Sequence, residues 1–436
     1  MSNAWEKVCL QVLLSVGVLC SGAGAASPET GSGADLIFAE NFESGDLTGW
    51  GGATGDPPGT SLPPDPATIA PPYNPTVAVD LFESNEFLWQ AAEPVQVGVT
   101  PGSLERERVS FLRGRVLRSD GTPLRGAHIR VFGEPQLGFT FSRPDGLFDI
   151  AVNGGGNVVL TYGKRGYFSA SRTVEAPAVD YSQVGDVVLL QADAAVTEVA
   201  SNATEMQVAR GEVESDLSGV RQATLLFPAG TGAELRMPDG STVPASSLHV
   251  RATEYTVGEL GHLAMPAPLA DNTAYTYAVE LSADEATAAG ADAVLFDQPI
   301  PVYVENFLQF PVGDPVPAGY FDRQRAEWIA VPNGRVIEIL GESGGIASLD
   351  VDGSGQPANA EQLSELGVSE PELMRLAVLY EPGQELWRVR IEHFTPWDFN
   401  VPYAPPADAD DPPDITFTDA PDPDPTAPPP PEPEPD

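Results

Sequence analysis

One stretch of the sequence has the residue types and spacing of a cation site: "DVDGSGQPANAE", Asp350 to Glu361. Asp350, Asp352 and Ser354 stand at positions 1, 3 and 5 of an EF-hand-type loop. Gly355 falls at position 6, where the chain turns sharply. Gln356 would offer its backbone carbonyl at position 7, and Glu361 at position 12 could bind through both oxygens. Hard oxygen ligands in this order select Ca2+, and a site of this kind belongs to the weak extracellular class, with Kd about 10⁻⁴–10⁻³ M. Two features oppose it. Pro357 occupies position 8, and the preceding residues read as a strand rather than an entering helix. The alternative is an Asp-Gly turn on an acidic surface.

Other chemistry finds no support. His128, His249, His262 and His393 form no HExxH, and no pair has metal spacing on a helix. There is no G-x-S-x-G elbow. "GTGAEL" and "NGGGN" are glycine turns between strands, with no helix opening after them to hold a phosphate. Asp284 and Glu285 are neighbours on a short surface helix, not carboxylates facing each other across a cleft. Tyr320, Phe321 and Trp328 in "GYFDRQRAEW" read as hairpin packing, with a sugar-stacking platform as the alternative. The expectation is a protein without catalytic residues.

The elements that must carry these residues are short strands. "FLRGRVLRSDGTPLRGAHIRVFG" is strand, turn, strand: Gly121 is free to take positive φ and Pro123 stops the ladder. Ala127, Ile129 and Val131 alternate with His128 and Arg130, the period of a half-buried strand. A Pro-Asp-Gly turn at 144–146 separates two more strands. A second β unit runs from Met206 to Leu340, interrupted by "SADEATAAGA" as one short helix. After 341 the chain is mixed: "NAEQLSEL" and "SEPELMRLAVLY" have helical spacing, with Ser369 as N-cap and Pro371 in the first turn, before "ELWRVRIEHF" returns to strand. The fold class is all-β: consecutive β-sandwich domains with a small mixed helical and calcium-loop region and disordered linkers. The expected boundaries are 109–195, 196–340 and 341–403.

The rest is composition. The chain has 436 residues, 44 Pro, 43 Gly and a net charge of -41. That charge repels phosphate backbones and anionic lipid surfaces, so neither nucleic acid nor membrane insertion is expected. Residues 1–25 read as a secretory signal: Lys7, an apolar run from Val8 to Cys20, and small residues at Ala23 and Ala25. Cys9 and Cys20 both lie there, so the exported chain holds no thiol and no disulfide. Residues 26–108 read as a low-complexity, mostly disordered segment, and 404–436 as an acidic, proline-rich tail. The expected location is extracellular or at the cell surface.

"GRVLRSDGTPLRGAHIRVFG" followed by "SRPDGLFDI" resembles the transthyretin-related, carboxypeptidase-regulatory-like module, including its D-G-x-F turn at Asp145 to Phe148. The continuation through "VNGGGNVVLTYGKRGY", "LHVRATEYTVG", "PVYVENFLQFPVG" and "LWRVRIEHFTPWDFN" is similar to the region before the YD-repeat shell in secreted bacterial RHS proteins and in teneurins. The resemblance covers roughly residues 109 to 403. It implies a capping or plugging role and a partner that is an RHS shell, in cis or in trans, or another protein. A calcium-dependent adhesive protein binding glycan or protein is the alternative, and an enzyme ranks last because carboxypeptidase zinc ligands are missing.

Overall fold

A computed structural model describes residues 62–402, apart from 73–75, 77, 79 and 271. The signal-like residues 1–25, the stretch to residue 61 and the tail 404–436 lie outside the described residues.

The first unit is a two-sheet sandwich. One sheet orders its strands Gln96–Val97, Phe139–Phe141, His128–Val131, Gly156–Gly163 and Ala170–Ala176. The facing sheet centres on Val109–Leu117, which pairs antiparallel with Leu147–Asn153 and parallel with Asp180–Gln183 and Val187–Val188. Alternate residues Leu112, Val116, Phe148 and Ile150 point inward onto Ile129, Leu160 and Tyr162. The Pro-Asp-Gly turn needs its glycine: Gly146 has φ 78, and a Cβ there would sit 2.6 Å from the Val116 carbonyl oxygen.

The second unit is one sheet of thirteen strands that curls until its ends meet. The terminal strands of that order are Thr197–Ala200 and Gln207–Arg210. The Gln207 side chain donates to the Ala200 carbonyl at 2.8 Å and accepts from the Ala200 amide at 2.9 Å. A side-chain amide thus replaces ladder bonds where two edges would otherwise stay open. Opposite that seam, the three-residue strand Pro396–Asp398 pairs with Ala278–Ala283 on one side and Pro315–Asp322 on the other. Trp397 and Phe399 bury their rings in the core with Tyr277 and Trp387.

Two expected boundaries do not match the strands. Strand Glu327–Ser343 runs through residue 340, and Glu385–Phe394 lies between it and Ala293–Glu305. Residues 341–402 therefore complete the second sheet rather than form a region of their own. The loop and helices Ala360–Glu365 and Glu370–Leu379 are an excursion between two strands of it. Helix Glu370–Leu379 has the capping box of Ser369 and Glu372. Its Glu372 is fully buried against Arg388 at 2.8 Å, and Arg388 also donates to the Leu366 carbonyl.

The second correction concerns residues 26–108. Within them, Pro66–Ile69, Leu81–Asn85 and Phe87–Gln90 are helical, and Gln96–Val97 joins the first sheet. Asp65 and Asp80 cap two of these helices. Leu88, Val95 and Leu104 are buried in the sandwich core, and Trp89 stacks on Phe111. Proline and glycine dominate the average over 26–108, which hides the few apolar residues that tie its second half down.

The two units share a small core of Leu117, Val188, Tyr255, Met265 and Ala278. Arg172 of the first unit donates to the Leu263 and Met265 carbonyls of the second.

Asp398, in the strand Pro396–Asp398, has its carboxyl pushed up to about 7 by burial, against the pull of the Asn400 amide. A raised carboxyl stabilises fully below its unfolded value of 3.8, and this contribution is lost as pH rises through 7. Asp398→Asn keeps the acceptor for Asn400 and cannot ionise. It should be more stable than wild type at pH 8 by up to about 4 kcal/mol and close to it at and below pH 4. Urea unfolding at the two pH values checks this.

Candidate functional site

The loop predicted to hold calcium is ordered by its own backbone. Asp350 is buried at the end of strand Ile346–Asp350, and its Oδ1 accepts from the Asp352 and Gly353 amides at 3.0 and 2.9 Å. Its Oδ2 accepts from the Gly355 amide at 2.6 Å. Asp352 accepts from the Ser354 amide and from the Gln362 side chain. Ser354 Oγ accepts from the Gln356 amide. Glu361 lies exposed in the first turn of the next helix. Among the described residues, Asp350, Asp352 and Glu361 do not bring three carboxylate oxygens within 4.8 Å of one another. In this arrangement Asp350 performs the work of an Asx turn, and its loss should cost about 1–3 kcal/mol. Asp350→Ala should lower the melting temperature equally in EDTA and in millimolar Ca2+. A loss seen only with Ca2+ would show that the loop binds the ion.

The histidines are placed for packing. Burial pushes His128 down to about 3 and His393 down to about 4, so both rings are neutral. His393 packs on Tyr320 and Trp397. His249 bonds Glu285 at 2.6 Å, which raises its pKa. Phe321 is buried and the Trp328 indole donates to the Pro268 carbonyl, so that hairpin is packed rather than presented.

Carboxylates gather elsewhere. Asp193, Glu212 and Glu214 bring oxygens within 4.8 Å of one another. Burial, joined by the charges of Glu212 and Glu214, pushes Asp193 up to about 6. Glu212 and Glu214 are two residues apart and Asp193 precedes Glu212 by 19, a spacing that matches no loop pattern, so only the folded chain reveals the cluster.

Beside them stands a two-stranded hairpin, Glu214–Asp216 with Gly219–Arg221. It carries the most exposed apolar side chain among the described residues: Leu217 is 99% exposed, and Val213 and Val220 are 61% and 59% exposed. Its root is the opposite. Arg221 is 1% exposed and holds two carboxylates at once. It donates to Asp216 Oδ1 and Oδ2 at 2.8 and 2.9 Å, and to Glu254 Oε1 at 2.6 Å. Its guanidinium lies 4.6 Å over the Phe307 ring. Burial alone would raise Asp216, but the Arg221 bonds and the Gly258 and Ser218 amides outweigh it and hold Asp216 down to about 2. Thr256 donates to Glu254 as well. The bidentate clamp fixes the root of the hairpin, and the clamped Asp216 also accepts from the Ser218 amide at the tip at 2.8 Å. "VESDLSGVR" shows an apolar residue inside a polar turn, a signal that sequence reasoning passed over.

Arg221→Met should cost about 3–5 kcal/mol, because it strands Glu254 and Asp216 without their partner. Adding Glu254→Gln to it should restore part of the loss. Denaturant unfolding of the single and double variants checks this; a loss under about 1 kcal/mol for the single variant would mean the clamp is slack.

Comparison with known proteins agrees with the first unit. Residues 104–189 match the family model of the teneurin TTR-like domain. The chain is 34% identical over 117 residues to Teneurin-3 of Danio rerio, covering 26% of this chain and 4% of that protein. It is 28% identical over 205 residues to Teneurin-1 of Mus musculus, covering 40% and 7%. It is 36% identical over 104 residues to Teneurin-m of Drosophila melanogaster, covering 24% and 4%. This part of the chain is a teneurin-like region. The chain spans less than a tenth of the length of these relatives.

Proposed function

We propose that the chain is a non-catalytic extracellular binding module whose protein contact is the hairpin 214–221. The observation that carries this reading is Leu217, fully exposed at the tip of a hairpin whose base is clamped by a buried arginine. An aliphatic side chain held on a fixed support can seat in a partner's pocket as an anchor. Asp193, Glu212 and Glu214 lie alongside, so the complementary surface is an apolar pocket rimmed by Lys and Arg. The similarity to teneurins supports an extracellular setting, and a YD-repeat shell bearing such a pocket is the partner that the sequence resemblance suggests. No helix among the described residues is long and apolar enough to cross a membrane.

The test places a photo-crosslinking benzoylphenylalanine at position 217 in cells that make the protein, with Ser241 as an exposed polar control. A discrete adduct should form from position 217 alone. Its yield should fall when NaCl is raised across the range that shortens the Debye length from about 10 Å to a few Å. No adduct at 217, or the same adducts from both positions, would remove the hairpin as the contact.

A further inference from the structure

Between the short helices of residues 66–90 and the outer face of the first sandwich lies a cavity of about 430 Å³. This is within the size range of small-ligand sites. It is independent of the hairpin and lies in the other unit. Its walls are aromatic: Phe87 from the helical cap, and Phe111 and Tyr181 from adjacent strands of the sheet. The Phe111 and Tyr181 rings lie 5.4 Å apart, and Tyr181 is 58% exposed although it sits in regular sheet.

The polar atoms at this cavity are only partly used by the protein. Arg113 gives its Nε to Asp149 at 2.6 Å, while no protein hydrogen bond engages its two terminal nitrogens among the described residues. Asp149 is fully committed, since Arg143 takes its other oxygen at 2.6 Å. Asn85 is 8% exposed, so it is more than nine-tenths buried. Its Nδ2 donates to the Leu81 carbonyl and to Tyr181 Oη, both at 2.8 Å, whereas its Oδ1 accepts no protein hydrogen bond among the described residues. Gln183 also lines the cavity.

These features select a ligand by elimination. A purely apolar ligand would desolvate Arg113 and Asn85 without replacing their hydrogen bonds. An anion would have to approach a chain of net charge -41. A cation would meet Arg113. A neutral molecule with adjacent groups that both donate and accept satisfies the guanidinium and the amide oxygen together. Vicinal hydroxyls do this, and the C–H face of the same ring packs on an aromatic side chain. The geometry points to a site for a neutral pyranose sugar, with Tyr181 as the stacking platform and Arg113 and Asn85 reading a pair of hydroxyls.

The test is saturation-transfer NMR on the exported chain with the methyl glycosides of glucose, galactose and mannose, each at millimolar concentration. At least one should receive saturation on its ring C–H protons, with Kd on the order of 1 mM as befits a single ring. Tyr181→Ala and Arg113→Met should each weaken that sugar at least tenfold while circular dichroism is unchanged. Tyr181 is exposed and Arg113 half-exposed, so neither change empties the core, and Ser241→Ala is the control that should leave binding intact. The inference is overturned if none of the three sugars binds, if only acidic sugars such as a glucuronide bind, or if both variants bind as wild type does.

Discussion

A strand of three residues joins the two halves of the sheet in the second unit. Pro396–Asp398 hydrogen-bonds to strands on both of its sides, so the sheet is continuous only while it is in place. Three residues supply too few ladder bonds to hold such a position unaided. Trp397 and Phe399 hold it by burying their rings with Tyr277, Phe307 and Trp387. Each such ring removes a large apolar area from water, on the order of 150–250 Å². The constraint reaches the hairpin, because Phe307 is the ring on which the Arg221 guanidinium rests.

Charge is distributed accordingly. The chain has 63 acids and 22 bases, and several arginines are used inside. Arg221 joins Asp216 to Glu254, Arg388 joins Glu372 to the sheet, and Arg143 joins Asp149. Each of these three guanidiniums is matched by a carboxylate, as burial of a charge demands, whereas Arg172 is held by backbone carbonyls. These pairs tie the hairpin to the Ser247–Glu254 strand, the helix Glu370–Leu379 to the sheet, and a turn to the first sandwich. Among the described residues, buried Asp350 is held by backbone amides and Asp398 by Asn400, neither with a basic partner, while most of the other acids lie at the surface, some of them on the acidic rim beside the apolar tip.

The two proposed contacts differ in kind. The hairpin projects and suits a macromolecular pocket; the cavity recedes and suits one ring. They lie in different units, which share the core of Leu117, Val188, Tyr255 and Met265. Loss of either contact by surface substitution therefore need not disturb the other.

Much of the local structure was legible in the sequence. The strand in "AHIRVF", the glycines at 121 and 146, and the cap at Ser369 each act over a few residues and are found where the pattern puts them, but His128, expected on the open face of a half-buried strand, is buried against Phe139 and Phe141. The strands and turns of 109–167 were legible for the same reason, and the teneurin resemblance read from them agrees with the family match over residues 104–189. The loop at 350–361 has the spacing of a calcium loop, and in it Asp350 accepts from the Asp352, Gly353 and Gly355 amides, bonds that order the turn by themselves. Strand order, the bridging role of residues 396–398, the Arg221 clamp and the cavity under the 66–90 helices join residues tens to hundreds of positions apart. No local pattern encodes such meetings. They are settled when the whole chain buries its apolar faces together, and only the tertiary structure decided them.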